Sequence, residues 1–390
     1  MLDKWRLIFS DRGMIRALWI SLVFLVVACG QPPGASVRPV LVDTDMARDD
    51  WEAVSLLLHA QLDVVGISIS CTGIGDCDYA EDTAARLVAL SGLDGDSIPI
   101  ARGDRAPIDG YRRFPESWRA DTRNHFGVDL APTDRTLSAE HAVTMMRRVL
   151  MGEPAAVDLL ILGPMTNVAQ LLERHPEVRS KIARLIIMGG AVHVRGNIMV
   201  PGFTSEMDNP ADDLANPSAE WNIYADGLAA HKVLHSGIPM VWVPLDGTNT
   251  VPLTYEYQQV VMETAQTPSA EFYAELMNTD TMNYLIGTGE LYFWDSLAAL
   301  MLIDPWACRI EELPLAVDVQ RSRQVGGQPG DFPERAYNGA LRKAFNESTV
   351  GTTALSTQSV MVDVCTQANK ERFYQAYQLI LNDQWTGPSR

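Results

Sequence analysis

The chain has 390 residues, 47% of them hydrophobic and 21% charged, which is the composition of a globular protein with ample material for a large core. Its net charge of −18 argues against a nucleic-acid partner. A surface without a basic stripe gains little from releasing counterions off phosphates.

The first segment with a recognisable pattern is "MIRALWISLVFLVVACG", with a basic flank at Arg12 and Arg16 and an apolar run from Ala17 to Ala28. At about twelve residues the run is too short to span a bilayer comfortably, so residues 1–29 read as a signal peptide. The ending "VVAC" resembles a bacterial lipoprotein cleavage box, with Cys29 as the lipidated residue. Residues 30–36 then read as a short tether. The expected location is extracytoplasmic, in the periplasm or at the cell surface, with membrane contact through the lipid anchor only. With Cys29 set aside, Cys71, Cys77, Cys308 and Cys365 remain, and these permit three pairings into two disulfides in an oxidising compartment.

From residue 37 to 390 short apolar runs alternate with helical patterns. "VLV" at 40–42 precedes a helix from about Trp51 to Ala60. "VVGISIS" precedes a helix over Asp78 to Ser91, and "DLLILG" precedes "MTNVAQLLERHP". "RLIIMGG" and "PMVWVPLD" supply two more buried strands. Strands that are apolar throughout, with helices between them, predict an α/β fold: one large domain with a mostly parallel central sheet flanked by helices. Residues 197–220, rich in Pro, Asn and acids, read as a long loop of the kind that usually serves function. Residues 319–353 form a second irregular polar stretch.

"DTDMARDD" places Asp43, Asp45, Asp49 and Asp50 at the end of the first strand. Ligands of parallel α/β sheets bind beyond the carboxyl ends of the strands. A strand ending at Val42 directs Asp43 and Asp45 to one face. Four carboxylates at one turn repel each other unless a cation compensates, and an oxygen-only set suits Ca²⁺ or Mg²⁺. The seven histidines show no metal-ligand spacing; His193, after "GGAV", is the one kept as an active-site candidate.

The motif "VDTDMARDD" resembles the N-terminal fingerprint of the nucleoside hydrolases, calcium-dependent N-ribohydrolases. "LLILGPMTNVA" (159–169), "IIMGGAV" to "GN" (186–197), "AEWNIYADGLAA" (219–230) and "YFWDSLAAL" (292–300) follow in the family's order. The resemblance implies that Asp45, Asp50, Asp295 and the carbonyl of Leu162 ligate Ca²⁺, and that Asp45 is the base taking a proton from the attacking water. It implies that Asp49, Met188, Asn197, Glu220, Asn222 and Asp295 hold the ribose, with Asp43 in support. Trp294 stands where many relatives carry His, as it does in the purine-preferring inosine-adenosine-guanosine subgroup. Trp118 and Asp76 then fall on the base. Met46 and Ala47 replace the family's usual Pro-Gly, and the loop before Glu220 is longer than the family pattern.

The implied reaction is hydrolysis of the N-glycosidic bond of purine ribonucleosides to ribose and free base. It makes physical sense, because an oxocarbenium-like state is stabilised by surrounding negative charge and by a positioned water. Two alternatives stay open: a ribosyl-binding protein without turnover, and a hydrolase of another N-ribosyl compound. A homo-oligomer is compatible with the sequence.

Overall fold

The protein, in a computed structural model, is described over residues 38–94, 97–108, 114–135, 138–198, 217–319, 353–355 and 359–387. The leader, Cys29 and the tether lie outside these residues, as do 199–216 of the expected long loop and 320–352 of the second polar stretch.

The strands are β1 (Val40–Thr44), β2 (Val64–Ile69), β3 (Ile100–Arg102), β4 (Val157–Ile161), β5 (Ile182–Met188), β6 (Met240–Val243), β7 (Cys308–Val317), β8 (Thr353–Leu355) and β9 (Val360–Ala368). Among the described residues they form one sheet in the order β3-β2-β1-β4-β5-β6-β9-β7-β8. Pairing is parallel from β3 through β9, and β7 runs antiparallel to both β9 and β8.

The helices are α1 (Arg48–His59), α2 (Cys77–Leu90), α3 (Glu116–Arg123), α4 (Ala142–Gly152), α5 (Thr166–Arg174), α6 (Trp221–Ala225) and α7 (Gly227–Leu234), then α8 (Leu245–Thr248), α9 (Tyr255–Thr264), α10 (Pro268–Met277), α11 (Asp280–Thr288), α12 (Trp294–Ile303) and α13 (Lys370–Leu381). Alternate strand residues feed two cores. Val40, Val42, Leu160 and Ile186 pack with α1, α2, α12 and α13, while Leu41, Leu159, Leu185 and Ile187 pack with α4, α5 and α7. This two-sided burial is why the strands read as unbroken apolar runs. Residues after 304 are part of the fold: β7 and β9 extend the sheet, and α13 closes the first core.

Strand order reverses between β1 and β4, since β2 and β3 lie on one side and β4 to β6 on the other. A reversal of this kind opens a crevice at the carboxyl ends of the two strands. One expectation shifts here, and one left open is resolved. Helix α1 begins at Arg48, three residues before the expected Trp51, because Asp50 Oδ2 accepts from Ala47 N at 3.0 Å and closes the first turn. The cysteines pair as Cys71–Cys77 and Cys308–Cys365, the second joining β7 to β9.

Candidate active site

Strand β1 continues through Asp43 to Thr44, and the Asp43 carboxyl is held within the fold. Its Oδ1 accepts from Ser68 Oγ at 2.6 Å and Asn167 Nδ2 at 2.9 Å. Asp45 lines the cavity described below and Asp43 does not. The chain leaves the strand after Thr44, and Met46 adopts a left-handed φ of 58° at the turn that leads into α1. Asp45 Oδ2 accepts from Ile74 N at 3.0 Å and Oδ1 from Ala47 N at 3.4 Å. A Cβ at Gly73 or Gly163 would collide with this carboxyl, so both glycines are needed for the close approach.

The carboxyls of Asp49, Asp50 and Asp295 offer oxygens that all lie within 4.8 Å of one another. Asp49 and Asp50 come from the first turn of α1 and Asp295 from that of α12, the helix packed against α1. Asp45 adjoins the group, its backbone N–H donating to Asp50 Oδ1 at 3.2 Å. The tight triad contains Asp49, expected on the sugar, and the Asp45 carboxyl lies against that of Asp50 at its edge. Asp45 has both oxygens engaged by backbone N–H groups.

Burial first, then repulsion from neighbouring carboxylates, pushes Asp50 and Asp295 well above the usual carboxylate range. Burial likewise raises Asp45 to about 6, against hydrogen bonds that lower it. Asp295 Oδ1 is buried without a hydrogen-bond partner. A buried acceptor left unpaired beside two more carboxyls fits a hard cation with oxygen ligands, as the resemblance implies for calcium.

These residues floor a cavity of about 540 Å³ that Leu162, Met188, Asn197, Glu220, Asn222, Trp118 and Trp294 also line. Glu220 caps α6, its oxygens accepting from Asn222 N (2.9 Å), Ile223 N (3.3 Å) and Gly190 N (2.9 Å). Asn222 Nδ2 donates to the Leu162 carbonyl at 2.8 Å, which links the ends of β4 and α6. Asn197 Oδ1 accepts from Trp221 N at 3.1 Å. The loop ends are also tied, Gly196 N to Pro217 O and Asn197 N to Ala219 O.

Two expected residues lie elsewhere. Asp76 does not line the cavity; it caps α2 through Asp78 N, and Arg123 Nε binds its other oxygen. Burial works upward on Asp76, but the Arg123 hydrogen bond, the Asp78 N–H and the charges of Arg123 and Arg119 together hold the carboxyl below its ordinary value. His193 is exposed, and none of the seven histidines lines the cavity. In turn, the sequence reading missed Trp221 and Phe114, stacked at 4.6 Å in the cavity wall, and Arg48 within the acidic motif. Trp221 was legible only as the residue between Glu220 and Asn222.

The chain matches the family described as "Inosine-uridine preferring nucleoside hydrolase" over residues 40–375. It belongs to the nucleoside hydrolase family. The non-specific ribonucleoside hydrolase RihC of Salmonella schwarzengrund is 31% identical to it over 299 residues, covering 76% of this chain and 88% of that one. The pyrimidine-specific ribonucleoside hydrolase RihB of Escherichia coli O157:H7 is 28% identical over 295 residues, covering 72% and 83%. The purine-preferring ribonucleoside hydrolase of Gardnerella vaginalis shares the fold with a TM-score of 0.68 at 20% identity, over 89% of this chain and 99% of that one. This nucleoside hydrolase is thus an N-ribohydrolase acting on small-molecule nucleosides.

Its buried acids set a pH dependence. Burial raises Asp43 and Glu220 to about 7, with hydrogen bonds to each lowering the value only in part. Carboxyls whose folded value exceeds the unfolded one bind protons more tightly in the fold, so stability is lost as pH rises from about 4 through about 7. His125, lowered by burial, works the other way but is one group against several. In chelator, the thermal midpoint is expected to fall by several degrees between pH 5 and pH 7. A midpoint that rises over that range would contradict this reading.

Proposed function

We propose that this nucleoside hydrolase cleaves purine ribonucleosides to ribose and free base with Ca²⁺ held by Asp49, Asp50 and Asp295, beside Asp45 and the Leu162 carbonyl. The observation that carries the reading is that the carboxyl triad, the polar groups suited to a sugar and the indoles of Trp118 and Trp294 line one cavity. When bound, the ion supplies positive charge that orients water and lowers its pKa.

The chain's own residues do the rest. Asp45, raised to about 6 yet ionised at neutral pH, accepts the proton of the attacking water. Asn197, Glu220 and Asn222 are fixed by backbone partners, so they meet the ribose hydroxyls without reorganising. The remaining carboxylate charge favours the cation that develops on the sugar. Trp294 lines the cavity with its Nε1 buried and unpartnered, and an indole in this wall can stack on a departing purine. The basic flank, apolar run and Cys29 of the leader, with the disulfides Cys71–Cys77 and Cys308–Cys365, support a lipid-anchored enzyme outside the cytosol that releases bases for uptake.

The test is the relative kcat/KM for inosine, adenosine, guanosine and uridine, in the wild type and in Trp294→Ala. Wild type is expected to favour purines, and Trp294→Ala to lose about tenfold on purines with a smaller loss on uridine, the scale of one aromatic contact. Equal losses on all four, or a wild-type preference for uridine, would contradict purine recognition by this wall.

A further inference from the structure

The segment after β2, "CTGIGDC" at 71–77, closes on itself through the Cys71–Cys77 disulfide, and both cysteines are buried. Gly73 and Gly75 give this ring a backbone freedom that folding must remove. Both are required all the same. A Cβ at Gly73 would strike the Asp45 carboxyl, and one at Gly75 would strike the Asp45 carbonyl oxygen. Between them Ile74 lines the substrate cavity, and its N–H donates to Asp45 Oδ2 at 3.0 Å.

That contact is the shorter of the two backbone bonds that orient the carboxyl, since Ala47 N stands 3.4 Å from Oδ1. The ring that supplies it is anchored unevenly. On the Cys71 side Thr72 Oγ1 lies 3.0 Å from Thr166 Oγ1 at the start of α5. Further along, Gly73 O accepts from Arg119 Nη1 at 2.9 Å, while Asp76 bonds Thr122 Oγ1 through its N–H and Arg123 Nε through its carboxyl. These three partners belong to α3, whose single buried residue is Thr122. The disulfide carries the anchorage across to Cys77, the first residue of α2, which packs in the core. Joining both ends of a short glycine-bearing ring removes conformations in which the Ile74 N–H leaves its partner.

Resting on the function proposed above, we propose that Cys71 and Cys77 are positioning residues, whose disulfide holds the Ile74 N–H on the Asp45 carboxyl and so sets the rate at which the attacking water is deprotonated. A general base works only while its oxygen is aimed at the proton it takes. A carboxyl released on one side rotates among orientations of which few are productive, and the loss falls on the chemical step. The cysteines touch neither sugar nor base, so substrate affinity is left alone. The enzyme then reaches its full rate only with this bond formed, in an oxidising compartment.

The experiment measures kcat and KM for inosine in saturating Ca²⁺, with a protein spanning residues 30–390. Its variants are Cys71→Ala with Cys77→Ala, the same pair in an Asp45→Asn background, and Cys308→Ala with Cys365→Ala as the control for losing a disulfide. A fourth, Ile74→Pro, deletes the donor and keeps the bond. Removing Cys71–Cys77 is expected to lower kcat about tenfold, short of the roughly 100-fold that an ångström of misplacement can cost, with KM within about twofold. In the Asp45→Asn background the same change should alter kcat less than about twofold, because residues that act through one another are not additive. The control should keep wild-type kcat below its thermal midpoint. Ile74→Pro should match the loss, and it decides the matter if the cysteine variant does not fold. An equal loss with and without Asp45, an equal loss in the control, a change in KM alone, no loss, or free thiols at Cys71 and Cys77 in the active wild type would overturn the assignment. A wild type inactive on inosine, adenosine, guanosine and uridine would instead overturn the function on which it rests.

Discussion

Asp45→Asn is expected to lower kcat for a purine ribonucleoside by about 10³-fold, within the range of a lost general base, with little change in KM. The substitution keeps the shape of the group, and the remaining oxygen can still accept from Ile74 N. It removes the ability to take a proton. Because burial raises Asp45 to about 6, the wild-type rate should have an acidic limb near or below that pH, and the variant should lose it. A variant that keeps wild-type kcat would mean that the proton goes elsewhere. A variant with unchanged kcat but raised KM would make Asp45 a substrate-holding group only.

Asp295→Asn should act through a different quantity. It removes one of the three carboxyls within 4.8 Å and the charge on the oxygen that lacks a partner. Calcium affinity is expected to fall by about two orders of magnitude, at least the loss seen when a supporting group of a metal site is removed. Turnover at limiting calcium should fall in parallel and recover in part as calcium is raised. Stability should move the opposite way in chelator. Repulsion from Asp50, after burial, raises Asp295, so neutralising it relieves like-charge crowding in the metal-free fold. A thermal midpoint that rises in chelator while calcium binding weakens is the expected pair of results; a midpoint that falls under both conditions would make Asp295 structural.

Much of this was legible before any coordinates, for identifiable reasons. Strands buried on both faces carry continuous apolar runs, so the parallel sheet could be read from "VVGISI" or "RLIIM" alone. The acidic motif was legible because like charges at one strand end are unfavourable without a function. What sequence did not give was direction. Asp43 and Asp45 look equivalent in a period-two pattern, but Asp43 is held by Ser68 and Asn167 while Asp45 lines the cavity, and those partners leave no mark in hydrophobicity. Asp76 was plausible for the base because it follows the second strand. It sits instead at the residue before a helix, where an aspartate satisfies orphan N–H groups. Arg48 was passed over because one base among four acids reads as charge balance; the structure buries it against Glu52, one turn further along α1. The 57-residue separation of Cys308 and Cys365 concealed a pairing that adjacent strands make immediate.

The measurement that tests the central claim most directly is base release from inosine by a protein spanning residues 30–390, in chelator and then in excess Ca²⁺. Cleavage abolished by chelation and restored by calcium is the predicted result, with the carboxyl triad as the site of the missing positive charge. Cleavage that persists unchanged in chelator, or no cleavage of any nucleoside with calcium bound, would contradict it.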